Sequence, residues 1–467
     1  MEEKKLGLRN VVSVSVGLVI ATSCLVSLGQ GAGSIGVVFI IAMIIACLFN
    51  MISMASMSEL NALMPNTTGG LAQYTLASLG PVPTLVSMVG GYILCNVLSA
   101  GVEASIFAYA MGEILHLPIS NFWYTFIVTV VLLIANLQGV DMFAKVQDLV
   151  AYLLLGSMLV MGIIGILGWG TGTMIEQPYY TTTKLSDIIP MIGVAFWLFI
   201  GAEYAIPISK DVKNAKRNVP LGMFIALGIM CVVQSVMIFG FHNYTYWTDL
   251  KESPAPHLLY GMNLLGTPGK IWMTLVAALA VISTQNSSIQ GLSNICQGMA
   301  KMNMMPQAFA KTNKKKVPYV GVWFVSILIL IFGYISNDSS ELISFLILVG
   351  SVFWMVSYIF AHIDVLVLRK RLPKAPRNFK VPFGPVLPLI GIAGTTYMII
   401  NISTDPTERM MIWLVTGITF LVLFIYSVIW IKFKMKIPVF KSVPLEKVMA
   451  MEHEMYYAVR KRRGMCK

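Results

Sequence analysis

Long apolar stretches, parted by polar or Pro/Gly-containing breaks, recur along the whole chain. They run over 11–34, 38–63, 83–115, 121–138 and 145–169, then 187–209, 219–241, 270–300, 318–335 and 341–368, and finally 385–401 and 408–431. About 20 consecutive apolar residues cross the hydrocarbon core of a bilayer as a helix. The pattern therefore predicts an all-α integral membrane protein with twelve transmembrane helices. A transmembrane β-barrel would show short alternating segments instead. Charge agrees, since only 12% of the 467 residues are charged and the mean hydropathy is +0.77, against roughly a quarter charged in a soluble domain.

The net charge of +12 would suggest nucleic-acid binding in a soluble chain. Here the basic residues sit between apolar stretches and at the ends, a placement that suits membrane orientation. On the twelve-span map Lys184, Lys251, Lys270 and Arg409 fall on one side, and the other 29 of the 33 Lys and Arg fall on the side of both termini. The positive-inside rule makes that side the cytoplasm. The expected location is the cytoplasmic membrane, multi-pass, with a cytoplasmic N-terminus at 1–10 and a basic cytoplasmic tail at 432–467. Within that tail Glu446 to Arg463 is a candidate surface helix, with a solvated tail as the plainer alternative. The polar first ten residues give no sign of a cleavable signal peptide.

Several chemistries lack their residues. The six cysteines form no CxxC, so neither a disulfide framework nor a zinc site is expected. His116, His242, His257, His362 and His453 show no metal-ligand spacing. No Gly-rich phosphate loop is present, so ATP-driven pumping would need another subunit. An intramembrane enzyme would need a nucleophile–base pair or a metal cluster, and the tail is too short and too basic for a sensor's output domain. Asn66-Thr67-Thr68 has a glycosylation pattern, yet the map places it in the cytoplasm.

Two spans are interrupted. In the first, Ala21-Thr22-Ser23-Cys24 lies mid-span and Gly29-Gln30-Gly31-Ala32-Gly33 follows. In the sixth, Ile200-Gly201-Ala202-Glu203 is followed by Pro207. A single Gly or Pro can be a harmless kink. Breaks at corresponding places in two halves instead point to a transporter site built on discontinuous helices, where unwound backbone offers N–H and C=O groups near the midplane.

From Phe196 the chain reads Phe-Trp-Leu-Phe-Ile-Gly-Ala-Glu-Tyr, with Lys-Asp-Val-Lys-Asn-Ala-Lys-Arg-Asn-Val-Pro at 210–220. This resembles the sixth helix and following loop of the amino acid–polyamine–organocation (APC) transporters. Ile282-Ser283-Thr284-Gln285-Asn286, continuing to Ala300-Lys301-Met302-Asn303-Met304-Met305-Pro306 and Val317-Pro318-Tyr319, is similar to the family's eighth helix and its exit loop. The resemblance implies two inverted five-helix repeats of the LeuT-like 5+5 kind, at 11–169 and 187–368, plus two added helices at 385–431. Helices 1 and 6 would be discontinuous, with alternating access around a site between helices 1, 3, 6, 8 and 10. It further implies that the first break cradles a substrate carboxylate with N–H groups while the second offers carbonyls to the amine. Helix-terminal partial charges favour that arrangement. One departure stands out. Ala21-Thr22-Ser23 replaces the family's usual Gly-Ser-Gly, which restricts the backbone and reshapes the cradle or removes the need for a carboxylate.

The candidate substrate-binding residues are Thr22, Ser23, Cys24, Glu103, Trp197, Ile200, Gly201, Asn286 and Ser288. Glu203 is the proton-coupling candidate, because an intramembrane carboxyl is costly and usually functional; a purely structural carboxyl is the alternative. Glu103, in the third span, reads as the second intramembrane acid. With no Lys or Arg away from the span ends to neutralise them, two intramembrane acids favour a cationic or zwitterionic cargo. Trp197 matches in position the gating tryptophan of the family's arginine/agmatine antiporters, and its indole face can hold a cation; core packing is the bland reading. Ser283 and Thr284 resemble the hydroxyl pair of a sodium site, while Leu154 stands where some members carry a fifth-helix lysine. The expected function is secondary transport of amino acids or related amines. Polyamine or organic-cation exchange and nutrient sensing are the alternatives. The expectation includes no cofactor beyond a proton or sodium as coupling ion, partners limited to the small substrate and the lipid bilayer with no nucleic acid, and a monomer or weak homodimer.

Overall fold

The computed structural model describes residues 6–64, 71–115, 117–253, 255–336, 340–375, 377–403, 405–444 and 448. Asn66-Thr67-Thr68, His116, His453 and the 446–463 segment apart from Val448 lie outside the described residues. The helices are α1 (Leu8–Val19), α2 (Thr22–Ile35), α3 (Phe39–Leu63), α4 (Leu71–Ser78), α5 (Pro81–Met88), α6 (Cys95–Leu115), α7 (Phe122–Leu137), α8 (Val140–Leu167) and α9 (Leu185–Trp197). They continue as α10 (Ala215–Tyr244), α11 (Trp247–Glu252), α12 (Pro256–Leu265), α13 (Thr267–Lys301), α14 (Tyr319–Ile335), α15 (Ser340–Arg371), α16 (Val386–Ile400) and α17 (Pro406–Trp430).

Among the described residues, eight helical segments are long and apolar enough to cross a membrane, or nine when the bent α1–α2 pair is one span. Three shorter apolar helices, α7, α14 and α16, accompany them. Their outward faces carry Val131 and Ile134 on α7, Leu149 and Leu153 on α8, and Leu421, Val422 and Ile425 on α17, all exposed. So much exposed apolar surface would be an aggregation hazard in water. In a bilayer it is the lipid face.

Inside, α1 packs on α8, α10 and α13, and α3 on α9, α10 and α15. Contacts of α2 with α9, and of α1 with the turn at Ala202–Ala205, bring the first and sixth apolar stretches together. The stretch at 11–34 is two helices meeting at 64°, with Ile20 and Ala21 extended between them. The stretch at 83–115 contains a wider turn at Val89–Leu94 between α5 and α6. Gly17 is needed for close packing, because a Cβ there would fall 1.5 Å from Gln147 Nε2 on α8.

The inventory of buried acids needs correction. Two were expected, whereas Glu59 and Asp364 are also buried, each 1% exposed. Glu59 accepts from Arg369 Nε (2.9 Å) and Nη2 (2.6 Å) and from the Val381 N–H (2.8 Å), and Arg377 Nε lies 3.4 Å away. Asp364 accepts from Thr75 Oγ1 at 2.7 Å and from Ser78 Oγ. Both acids lie inside the apolar stretches, at 38–63 and 341–368, and each is held there by partners from another helix. Because α15 runs to Arg371, Arg369 reaches back to Glu59 from a position that the apolar stretch excluded.

Candidate functional site

A membrane-buried helix that stops leaves carbonyls and N–H groups unpaired, and each must find a partner inside the protein. Around the first interruption, Val19 O accepts from Cys24 Sγ (3.1 Å) and Ile20 O from Thr284 Oγ1 on α13 (3.3 Å). On the amino end of α2, the Ser23 N–H donates to Glu103 Oε1 (3.1 Å) and Oε2 (3.2 Å) on α6. A carboxylate at a helix N-terminus is favoured by the partial positive charge there.

The second interruption follows α9. The chain tightens through i→i+3 bonds from Leu198 to Ile200, passes Gly201 at φ +112°, and makes a single turn at Ala202–Ala205. Here too side chains take up the freed carbonyls. Phe196 O accepts from Asn50 Nδ2 (3.3 Å), Leu198 O from Gln234 Nε2 (3.3 Å) and Ala202 O from Ser15 Oγ (2.9 Å). Glu203, fully buried, accepts from Trp354 Nε1 and from Tyr358 Oη (2.8 Å) on α15.

Gly201 is held by more than its backbone angle. A Cβ there would sit 3.0 Å from Leu18 Cδ2 at the end of α1, so the two interruptions touch at this point. Gly201→Ala is expected to destabilise the protein by about 1–3 kcal/mol, the cost of a non-glycine residue forced into a sparsely populated conformation. Thermal unfolding of the detergent-purified variant checks this, and an unchanged melting temperature would contradict it.

Between the interruptions lies a narrow cavity lined by Leu18, Val19, Ala21, Cys24, Asn96, Ser99, Glu103, Trp197, Ile200, Thr284, Ser288 and Trp354. Cys24, Glu103, Trp197, Ile200, Thr284 and Ser288 of the sequence candidates are brought together on it. Ser23 sits just behind, accepting at Oγ from Trp197 Nε1 (3.0 Å). Thr22 donates to Ala277 O at 3.4 Å. Gly201 shapes the second interruption without lining the cavity. Asn286 is elsewhere. It accepts from Asn136 Nδ2 (2.9 Å) and donates to Gln147 Oε1 (3.0 Å), joining α7, α8 and α13. Ser283 Oγ accepts from Gln147 Nε2 at 2.6 Å.

Sequence reading missed Asn96, Ser99, Trp354 and Tyr358. A signal existed for the first two, because Asn96, Ser99 and Glu103 fall at i, i+3 and i+7 and so share one face of α6. Ser351, Trp354 and Tyr358 form a similar stripe on α15. Trp197 and Trp354 stand edge to face, with ring centroids 6.5 Å apart and planes at 89°. Ser99 Oγ and Ser288 Oγ have no hydrogen-bond partner among the described residues. No Lys or Arg lines the cavity, and no cluster of three or more His, Cys, Asp or Glu able to hold a metal occurs among the described residues.

Known proteins are similar to this chain along most of its length. The profile of the amino acid permease family matches residues 6–431. A branched-chain amino acid permease, BcaP, of Bacillus subtilis is 22% identical over 451 residues, 91% of this chain and 93% of that protein. The methylthioribose transporter of the same organism is also 22% identical, over 89% of this chain and 91% of its own. Among solved structures, a manganese transporter of Eremococcus coleocola superposes with a TM-score of 0.62 at 14% identity, covering 91% of this chain and 94% of that one. That likeness is one of fold. The chain is a multi-pass membrane transporter and belongs to the amino acid permease family of the APC superfamily.

Proposed function

We propose that this chain is a secondary active transporter of amino acids or related amines, working across the cytoplasmic membrane by alternating access. Its helices are read as two inverted five-helix repeats, 11–169 and 187–368, with two further helices at 385–431 and both termini in the cytoplasm. The uneven distribution of Lys and Arg favours that orientation. The observation that carries the reading is the meeting of two interrupted helices around one buried polar cavity. Unsatisfied hydroxyls, a carboxyl and two indoles converge there from α6, α9, α13 and α15. Irregular backbone at membrane depth persists only where it is buried in protein or lines a cavity.

The proton is the coupling ion we favour. The Ser283 hydroxyl accepts from an amide N–H of Gln147, a donor where a sodium ion would need an acceptor. Glu203, beside the second interruption, is the proton-carrying group in this reading. Its partners, Trp354 and Tyr358, tie it to α15.

Counterflow in proteoliposomes tests transport. Vesicles holding the purified chain and preloaded with an amino acid or amine should accumulate the labelled compound, while empty vesicles should not. Failure across amino acids, biogenic amines and polyamines would overturn the reading. Within it, Trp197→Ala is expected to weaken binding by about 0.5–2 kcal/mol, the worth of a cation on an indole face. Titration calorimetry with the transported compound measures this, and an unchanged Kd would put the ring outside the pocket.

A further inference from the structure

We propose that the cargo is an organic amine without a carboxylate, bound as its cation between Glu103, Ser99, Ser288 and the indole faces of Trp197 and Trp354. This rests on the transport reading above and names the substrate class that the same cavity accepts.

The argument is an inventory of donors and acceptors. A zwitterionic amino acid brings an anionic group, which needs N–H donors, and an ammonium, which needs acceptors. The position that helix-terminal charge favours for an anion is the amino end of α2, beside the cavity that Ala21 and Cys24 line. It is already filled from within, because the Glu103 side chain takes the Ser23 N–H on both oxygens at 3.1 and 3.2 Å. Glu103 is 1% exposed and reaches this point from a different helix, 80 residues away in sequence. An incoming carboxylate would have to displace it and would then lie against a like charge.

The indole N–H donors near the cavity are committed as well. Trp197 Nε1 donates to Ser23 Oγ, and Trp354 Nε1 to Glu203. Asn96 Nδ2 gives one of its two hydrogens to Tyr92 O at 2.8 Å, which leaves one N–H and the two lone pairs of Oδ1. What remains is acceptor-rich. Glu103, whose oxygens are also met by the Thr22 N–H and by the Thr22 and Ser23 hydroxyls, sets its carboxyl on the cavity wall, and the Ser99 and Ser288 hydroxyls, each able to accept twice and donate once, lack partners among the described residues. An ammonium carries three donors and no acceptor, so it complements these groups, while the indole faces attract the same charge. No cationic side chain lines the cavity to receive an anion.

The test uses matched pairs that differ only by the carboxylate, namely leucine and isoamylamine, phenylalanine and phenethylamine, lysine and cadaverine. Binding to the purified full-length chain is measured by calorimetry and uptake in proteoliposomes. At least one amine should bind about a hundredfold more tightly than its amino acid, the scale of leaving a buried charged group unpaired. Amino acids that bind and enter as well as their amines would overturn the proposal and leave transport standing. If neither member of any pair binds or enters, the transport reading fails and the proposal falls with it. Two variants then separate cap from charge. Glu103→Gln keeps an oxygen for the Ser23 N–H but should lose amine affinity. Glu103→Ser frees the N–H and should bring the two members of a pair toward equal affinity. If Glu103→Gln, folded by its melting curve, retains amine affinity, the carboxylate is not the cation's partner and the proposal is wrong.

Discussion

Glu59→Ala is expected to lower stability by about 3–5 kcal/mol, the usual cost of removing one member of a buried ion pair. Glu59 receives both nitrogens of Arg369, the Val381 N–H and a close approach from Arg377. The Arg377 side chain is only 2% exposed, so without the carboxylate its charge stays buried and loses its counter-ion. The cluster joins α3 to the end of α15 and to the segment beyond it, which makes it a tie between helices. Thermal or denaturant unfolding in detergent measures the loss, and Glu59→Gln should recover part of it by keeping an acceptor for Arg369. A melting curve for Glu59→Ala matching the wild type would show that these groups reach water.

The second large effect is on transport. Glu203→Gln puts an NH2 group where an oxygen accepts from Trp354 or Tyr358, so one buried donor loses its partner. That mismatch costs about 1–3 kcal/mol, a roughly five- to 150-fold loss if it falls on the transport-competent state. In a proton-coupled cycle the variant should also lose the wild-type response of uptake to pH, because glutamine does not titrate in this range. Proteoliposome uptake across a pH series reads both quantities. A wild-type rate and profile would reduce Glu203 to a structural carboxyl.

Much of this architecture is legible in the sequence, for a simple reason. A bilayer demands long apolar helices, so the stretches stand out, and the polar or glycine interruptions at Thr22-Ser23 and Gly201 stand out against them. What the sequence hides is pairing. Glu103 reads as an acid that either faces a cavity or pairs with polar groups, and the fold has it do both, lining the cavity while accepting from the Ser23 N–H, 80 residues away. Asn286 reads as a substrate ligand because it is polar inside a span, yet α7 and α8 supply Asn136 and Gln147 to satisfy it. Glu59 and Asp364 lie inside the stretches at 38–63 and 341–368, and their burial shows only once their partners are set against them, Arg369 just past the apolar boundary for the first and Thr75 and Ser78 on α4 for the second. Trp354 and Tyr358 show only as aromatic residues in an apolar helix until Glu203 is set against them.

An experimental structure of the protein in a lipid nanodisc, with a transported compound bound, tests the central claim most directly. The account predicts density for that compound between residues 19–24 and 197–203, within hydrogen-bonding reach of Glu103 or Ser288 and against the Trp197 ring. Continuous helices through both segments, or a ligand seated away from this cavity, would contradict it.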